Sequence, residues 1–213
     1  MEELYKKTLD RLKAELKKQL PEIEANGDWL WHHPEAGFKE TETQKYCLEV
    51  LKNHGFEACT WPDVTGFTCT YDTGRPGPCV MIMGEMDSLI CYSHPDCNPE
   101  TGAAHACGHS IQVATAMGAF ITLTESGVLE NFGGKVMLAG VPAEECLEIE
   151  WRTREIQKGR LHYLCGKAEL LYRGAFDGVD IVISMHAGLG NDGTITILGS
   201  HNGFISKNVT FQG

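Results

Sequence analysis

Three short runs in this 213-residue chain are almost uniformly apolar: Cys79-Val80-Met81-Ile82-Met83, Val136-Met137-Leu138-Ala139-Gly140-Val141 and Ile181-Val182-Ile183-Ser184-Met185. A strand with one wet face alternates polar and apolar residues, whereas one buried on both faces does not. These runs are therefore predicted strands from the middle of a sheet. Helix-like segments around 109–126 and 165–174 lie between them. Buried strands alternating with helices specify an α/β domain with a mixed, largely parallel sheet. In such sheets ligands bind beyond the carboxyl ends of the strands. The residues just after each run are therefore where chemistry is expected.

The first run leads into Glu85-Met86-Asp87, the second into Pro142-Ala143-Glu144-Glu145, and the third ends at His186. A fourth element is the small-residue loop Thr101-Gly102-Ala103-Ala104-His105-Ala106-Cys107-Gly108-His109-Ser110, which opens a helix of apolar, mostly small residues. Taken singly, each residue has an ordinary structural reading. Cys107 alone is a small buried side chain, Glu144-Glu145 a helix start favoured by the dipole, Asp87 a turn residue, and His186 a solvated imidazole. Together they bring acids, imidazoles and a thiol to one edge of the sheet. Buried acids without a partner or a cation are costly. A hydrolytic metal centre needs mixed ligands and a separate base, which adjacent glutamates can divide between them. A thiolate beside imidazoles favours zinc over magnesium or calcium.

The remaining pattern is ordinary. Leu4, Leu9, Leu12, Leu16, Leu20 and Ile23 mark one face of an N-terminal helix that Pro21 either breaks or restarts. Trp29 to Phe38 is predicted to be a turn-forming stretch, residues 40–54 a helix stopped by Gly55, and segments near 57–61 and 66–72 strands. Residues 193–199 and 204–211 alternate as strands do. The stretch from Cys146 through Lys167 matches no motif, and a surface or substrate-side loop is expected there.

A formal net charge of -11 argues against nucleic acid or an anionic membrane as partner. The charged first twenty residues and the lack of a long apolar run predict neither a signal peptide nor a membrane span. Nine scattered cysteines with no Cys-x-x-Cys pair fit a reducing cytoplasm.

Five segments occur in order: His33-Pro34-Glu35-Ala36-Gly37-Phe38, Glu85-Met86-Asp87-Ser88-Leu89, Gly102-Ala103-Ala104-His105-Ala106-Cys107-Gly108-His109, Pro142-Ala143-Glu144-Glu145 and Gly178-Val179-Asp180 with Met185-His186. From about residue 25 onward the chain thereby resembles the amidohydrolase branch of metallopeptidase family 20, which includes hippurate, auxin-conjugate and aminobenzoyl-glutamate hydrolases. The resemblance implies a three-layer, aminopeptidase-like catalytic domain and a metal-dependent amidohydrolase or peptidase acting on N-acyl amino acids or short peptides. It implies one or two divalent ions, zinc first, with manganese, cobalt or nickel as alternatives. Cys107 corresponds to a bridging ligand, His109, Glu145 and His186 to further ligands, Glu144 to the general base, and Asp87 to an aspartate that orients the site without ligating. It also implies a homodimer. Residues 1–203 would be the N-terminal part of the catalytic domain, and 204–213 the opening of a lid and dimerisation domain. The 213 residues alone are then expected to be weakly active or inactive.

Three positions depart from the pattern. Glu85 stands where other branches carry a ligand histidine, and Ser110 and Gln112 replace the usual Asp and His after Cys-Gly-His. The family's last metal-ligating histidine is not reached. These departures keep open a catalytically incompetent metal-binding homologue that acts as a binding module. A zinc deaminase is a poorer match, since its signature requires a Pro-Cys-x-x-Cys element that is absent.

Overall fold

The computed structural model describes residues 2–188, with Val209 and Phe211 beyond them. The predicted strands 193–199 and 204–211, apart from those two residues, lie outside the described residues, as does the 203/204 boundary. In chain order the elements are α1 (Glu2–His32), α2 (Thr41–Asn53), β1 (Ala58–Thr60), β2 (Phe67–Asp72), β3 (Cys79–Glu85), β4 (Leu89–Ile90), β5 (Ala103–Ala104), α3 (His109–Glu125), β6 (Lys135–Val141), α4 (Ile149–Gln157), α5 (Gly166–Tyr172) and β7 (Ile181–Ser184), with a short 3₁₀ turn at Val128–Asn131.

The three apolar runs become β3, β6 and β7, adjacent and parallel; β1 and β2 extend the sheet antiparallel from β6, giving the order β1-β2-β6-β3-β7. Against expectation, β7 is not a mid-sheet strand among the described residues: it pairs only with β3, and all four of its residues are exposed. The alternation of the strands divides the core into two layers. Val136 and Leu138 face a cluster with Leu30, Leu51, Val113, Met117 and Phe120 from α1–α3. Met81, Met83, Ala139 and Val141 face the opposite way, onto Leu170 and Ala175. The result is helix, sheet, helix, with β3 and β6 buried on both sides.

α1 differs from its expectation. It is one continuous helix through Pro21 and on to His32, so it takes in the first residues of the predicted turn. Proline is tolerated there because Lys17, Leu20 and Pro21 are all exposed, and the carbonyl that loses its partner meets water. The face that packs is also shifted. Leu4, Leu16 and Leu20 are exposed, while Gln19, Asn26 and Leu30 are buried, Gln19 donating to Glu125 at the end of α3 and Asn26 accepting from Tyr46 on α2. Close approach of the two helices depends on Gly118, where an added Cβ would lie 2.4 Å from Ile23 Cδ1. Gly118→Ala would cost about 1–3 kcal/mol in overpacking.

The Cys146–Lys167 stretch is also not the expected loop. It contains α4, and Arg152 on that helix is fully buried, with Nη1 donating to the Leu164 carbonyl at 2.7 Å and the guanidinium 5.3 Å from the Phe38 ring. Glu169 on α5 ties the stretch down. Its carboxylate accepts from the His162 and Tyr163 backbone N–H groups (2.7 and 2.9 Å) and from Arg173 Nε (2.7 Å).

Candidate metal centre

The register of the parallel strands decides where the chemistry lies. Glu85 ends β3 beside Val141 of β6, and Ser184 of β7 pairs with Met83. The residues just beyond those ends are Met86-Asp87, Pro142–Glu145 and Met185-His186, so three loops open at one edge. The fourth contribution is the start of α3. Gly108 precedes it with φ +87°, a left-handed conformation suited to glycine, and a Cβ there would sit 3.1 Å from Ala187 Cβ. That turn presents Cys107 on one side and buries His109 on the other.

Cys107, His109 and His186 place one ligand atom each within 4.8 Å of one another, and Glu85, His109 and Glu144 form a second such group. Cys107 Sγ is 3.4 Å from His186 Nε2, and the rings of His109 and His186 meet edge to face, 5.5 Å between centroids. Asp87, fully buried, holds His109 in place: Nδ1 lies 2.9 Å from the Asp87 carbonyl and 3.2 Å from Asp87 Oδ1. Asp87 Oδ2 also accepts from the Glu145 backbone N–H at 2.9 Å, which joins the β3 loop to the β6 loop. Three predicted ligands are thus brought together. The Glu145 carboxylate flanks the Cys107 thiol but belongs to neither group, and the Glu144 carboxylate lies among Glu85, His109 and Lys167.

The electrostatics follow from burial among acids. The Cys107 thiol is pushed up to about 12, first by burial and then by Glu145, Glu144 and Glu85. Burial alone would lower the His109 pKa, but the Asp87 and Glu85 carboxylates outweigh it and raise it. His105, buried with neither ring nitrogen bonded, is depressed to about 4 by burial and by His109. His109 Nε2 and Asp87 Oδ1 are buried without a hydrogen-bond partner, although Glu85 Oε2 is 3.2 Å from that Nε2. Sulfur, imidazole and carboxylate donors on a concave edge, with an orphaned imidazole nitrogen among them, fit a divalent cation.

Sequence reasoning missed the residues that hold this edge from behind. Glu40 is fully buried; its Oε1 accepts from the Ala143 backbone N–H at 2.8 Å and its Oε2 from Thr65 Oγ1 at 2.5 Å. Burial, then the Asp87 charge, pushes its pKa up to about 8. Through Ala143, left-handed at φ 49°, Glu40 fixes the residue that precedes the two glutamates. Gln112 bridges the strand ends, accepting from the Glu85 backbone N–H (3.1 Å) and donating to Ser184 Oγ (3.0 Å). Its departure from the family pattern thus has a structural use. The Ser110 hydroxyl is buried without a partner. Glu35, in the His33–Phe38 motif, accepts from the Glu42 and Thr43 backbone N–H groups and caps α2.

No family model matches the chain, but individual proteins do. It is 26% identical over 183 residues to the N-acyl-L-amino acid amidohydrolase of Geobacillus stearothermophilus, covering 82% of this chain and 44% of that protein. It is 32% identical over 152 residues to one subunit of the p-aminobenzoyl-glutamate hydrolase of Escherichia coli, covering 65% of this chain and 30% of that protein. The crystal structure of a dinuclear metal-binding peptidase of the M20 family from Bacillus subtilis superposes with a TM-score of 0.63 at 25% identity, over 83% of this chain and 44% of that one. In sequence and fold the chain is similar to proteins of metallopeptidase family 20. Its relatives include amidohydrolases and carboxypeptidases, and the chain spans less than half the length of each of those just described. No described helix is long and apolar enough to cross a membrane.

Proposed function

We propose that the polypeptide containing this chain hydrolyses the amide bond of N-acyl or aromatic-acyl amino acids or short peptides, with a divalent metal centre and Glu144 as general base. The observation that carries this reading is the convergence of Cys107, His109 and His186 within 4.8 Å at the strand ends of an M20-like domain. Cys107, His109, Glu145 and His186 would hold the metal, and thiolate softness favours zinc over manganese, cobalt or nickel. When bound, such an ion supplies Lewis acidity toward a carbonyl and toward water.

The chain's own residues do the rest. Glu144 takes the proton of the attacking water and delivers it to the leaving nitrogen. Asp87 keeps His109 Nδ1 engaged, so that Nε2 faces the ion. Burial and three glutamates favour the protonated Cys107 thiol, so a cation held there would have to displace that proton. Affinity for the metal should therefore weaken as pH falls.

In this reading residues 1–203 form the first part of the catalytic domain, and 204–213 open a lid and dimerisation domain that completes a homodimer. Nine free cysteines support a reducing, cytoplasmic setting. A second reading, a metal-binding module without turnover, draws on Ser110 and Gln112, for which no hydrogen bond to the His109 ring is found among the described residues.

The test joins metal analysis to turnover. The full-length polypeptide and its Cys107→Ala variant are assayed for bound metal and for hydrolysis of a panel of acyl-amino acids. Cys107→Ala should lose both. Unchanged metal content in that variant would sink the ligand assignment, and metal without turnover in the parent would favour the second reading.

A further inference from the structure

Lys167 carries no signal in the sequence, yet its ammonium lies inside the acidic half of the centre. Nζ is in direct ion-pair contact with Glu85 and 3.4 Å from Glu144 Oε1. The Glu85 side chain is 5% exposed. Two facing carboxylates, one of them buried, repel each other unless a cation stands beside them, and Lys167 supplies one. The lysine is also built in. It stands in the first turn of α5, just after Gly166, whose backbone N–H donates to the Ala143 carbonyl at 3.0 Å. An added Cβ at Gly166 would lie 1.7 Å from the Pro142 carbonyl oxygen, so only glycine lets α5 approach the Pro142–Glu145 loop this closely. The lysine stem lines an apolar cavity of about 260 Å³ with Met83, Leu171, Phe176 and Val182, and the charged end reaches out of it toward the carboxylates.

The two candidate ligand groups share His109. Its Nδ1 is taken by Asp87, so one nitrogen, Nε2, remains for a cation. A divalent ion between Glu85 and Glu144 would have to sit against the Lys167 ammonium. An ion between Cys107, His109 and His186 would not. The geometry points to Lys167 as a built-in counter-cation that takes the second cation position, so that this chain holds one metal ion, on Cys107, His109 and His186. The inference rests on the metal-centre reading above and departs from the dinuclear description of the Bacillus subtilis relative. Lys167 is then a positioning residue. It holds the Glu144 carboxylate out of the coordination sphere, where a proton acceptor is needed.

The experiment counts metal. The full chain is stripped with chelator, dialysed to equilibrium against excess zinc and, separately, excess manganese, and the bound metal per chain is measured by elemental analysis. The metal that counts is that lost in a control carrying His109→Ala and Glu85→Gln together. Wild type and Lys167→Arg should hold one equivalent, and Lys167→Met should hold two. Circular dichroism checks that each variant folds, and Lys167→Gln replaces Lys167→Met if the latter does not. Two equivalents on the wild type would overturn the inference and leave the metal centre intact, as would one equivalent on a folded Lys167→Met. No metal on the wild type would overturn the metal-centre reading, and this inference with it.

Discussion

His54 and His109 each sit between two carboxylates. His54 follows α2, with Nδ1 2.6 Å from Glu125 Oε1 and Nε2 2.9 Å from Glu22 Oε2. Glu125 also accepts from Gln19 Nε2 at 2.9 Å. The ends of α2 and α3 are thereby pinned to the middle of α1, and both imidazole nitrogens have well-aligned partners. His109 has the same composition around it and the opposite bookkeeping. Only Nδ1 is properly bonded, to the Asp87 carbonyl, while Nε2 and Asp87 Oδ1 are buried without an aligned hydrogen bond, each with only an ion-pair contact at 3.2 Å. Each orphan costs about 1–3 kcal/mol in desolvation. A clasp that serves stability completes its bonds with protein atoms. A centre that serves a ligand leaves some of them open, and that difference separates two histidines which residue type alone would not.

The sharpest way to break the comparison is at the acid beside His109. Glu144→Gln should keep the metal and lose turnover by about 10²–10⁴-fold in the full-length polypeptide, as expected when a positioned base is removed. Glu145→Gln should instead weaken the metal. If Glu144→Gln is fully active while Glu145→Gln is dead, the two roles are reversed. Glu125→Gln, at the clasp, should change neither quantity.

A smaller effect is expected one bond further out. Asp87→Asn keeps the shape but alters the group that orients His109, and metal affinity should fall by about 10–100-fold. Calorimetric titration with zinc would measure it. An unchanged affinity would mean that the His109 ring is held by the backbone carbonyl of residue 87 alone. The matched change at the clasp, Glu22→Gln, should leave zinc affinity where it was.

The unequal legibility of the chain has the same origin. β3 and β6 could be read because strands buried on both faces carry uninterrupted apolar runs, whereas β7 carries such a run and is nonetheless exposed at the edge of the described sheet. The cysteine–histidine loop could be read because its chemistry is local in sequence. Glu40 could not, since its use depends on the Ala143 N–H, 103 positions away. Lys167 was equally silent, because its partners Glu85 and Glu144 lie on other elements and only α5 docking brings it to them. Arg152 reads as one charge in a charged helix until the fold wraps Phe38 and Leu164 around it. The course of α1 was misread because Pro21 and the aromatic stretch after it are local signals for a break. Burial of Gln19, Asn26 and Leu30 outweighs them.

The smallest effect concerns the clasp itself and is a matter of pH. Burial lowers the His54 pKa, but the hydrogen bonds and charges of Glu125 and Glu22 outweigh it, so the folded-state value is raised above that of the unfolded chain. A group of this kind stabilises the fold most when it is protonated in both states, below about pH 6.5. Its contribution then declines as pH rises through the folded-state value, where the imidazole loses its charge in the folded chain as well. Both glutamates are partly exposed, at 40% and 34% of their side-chain surface, so solvent screening holds the contribution to about 1 kcal/mol or less. The charged groups facing His54 are Glu22 from α1 and Glu125 from α3, and neither lies at the metal centre. Denaturant melts of the wild type and of His54→Gln, followed from pH 6 to pH 8.5, should therefore diverge at the acid end and converge at the alkaline end. A constant gap across that range would mean that the two bonds act as neutral hydrogen bonds, and the contrast with His109 would then rest on geometry alone.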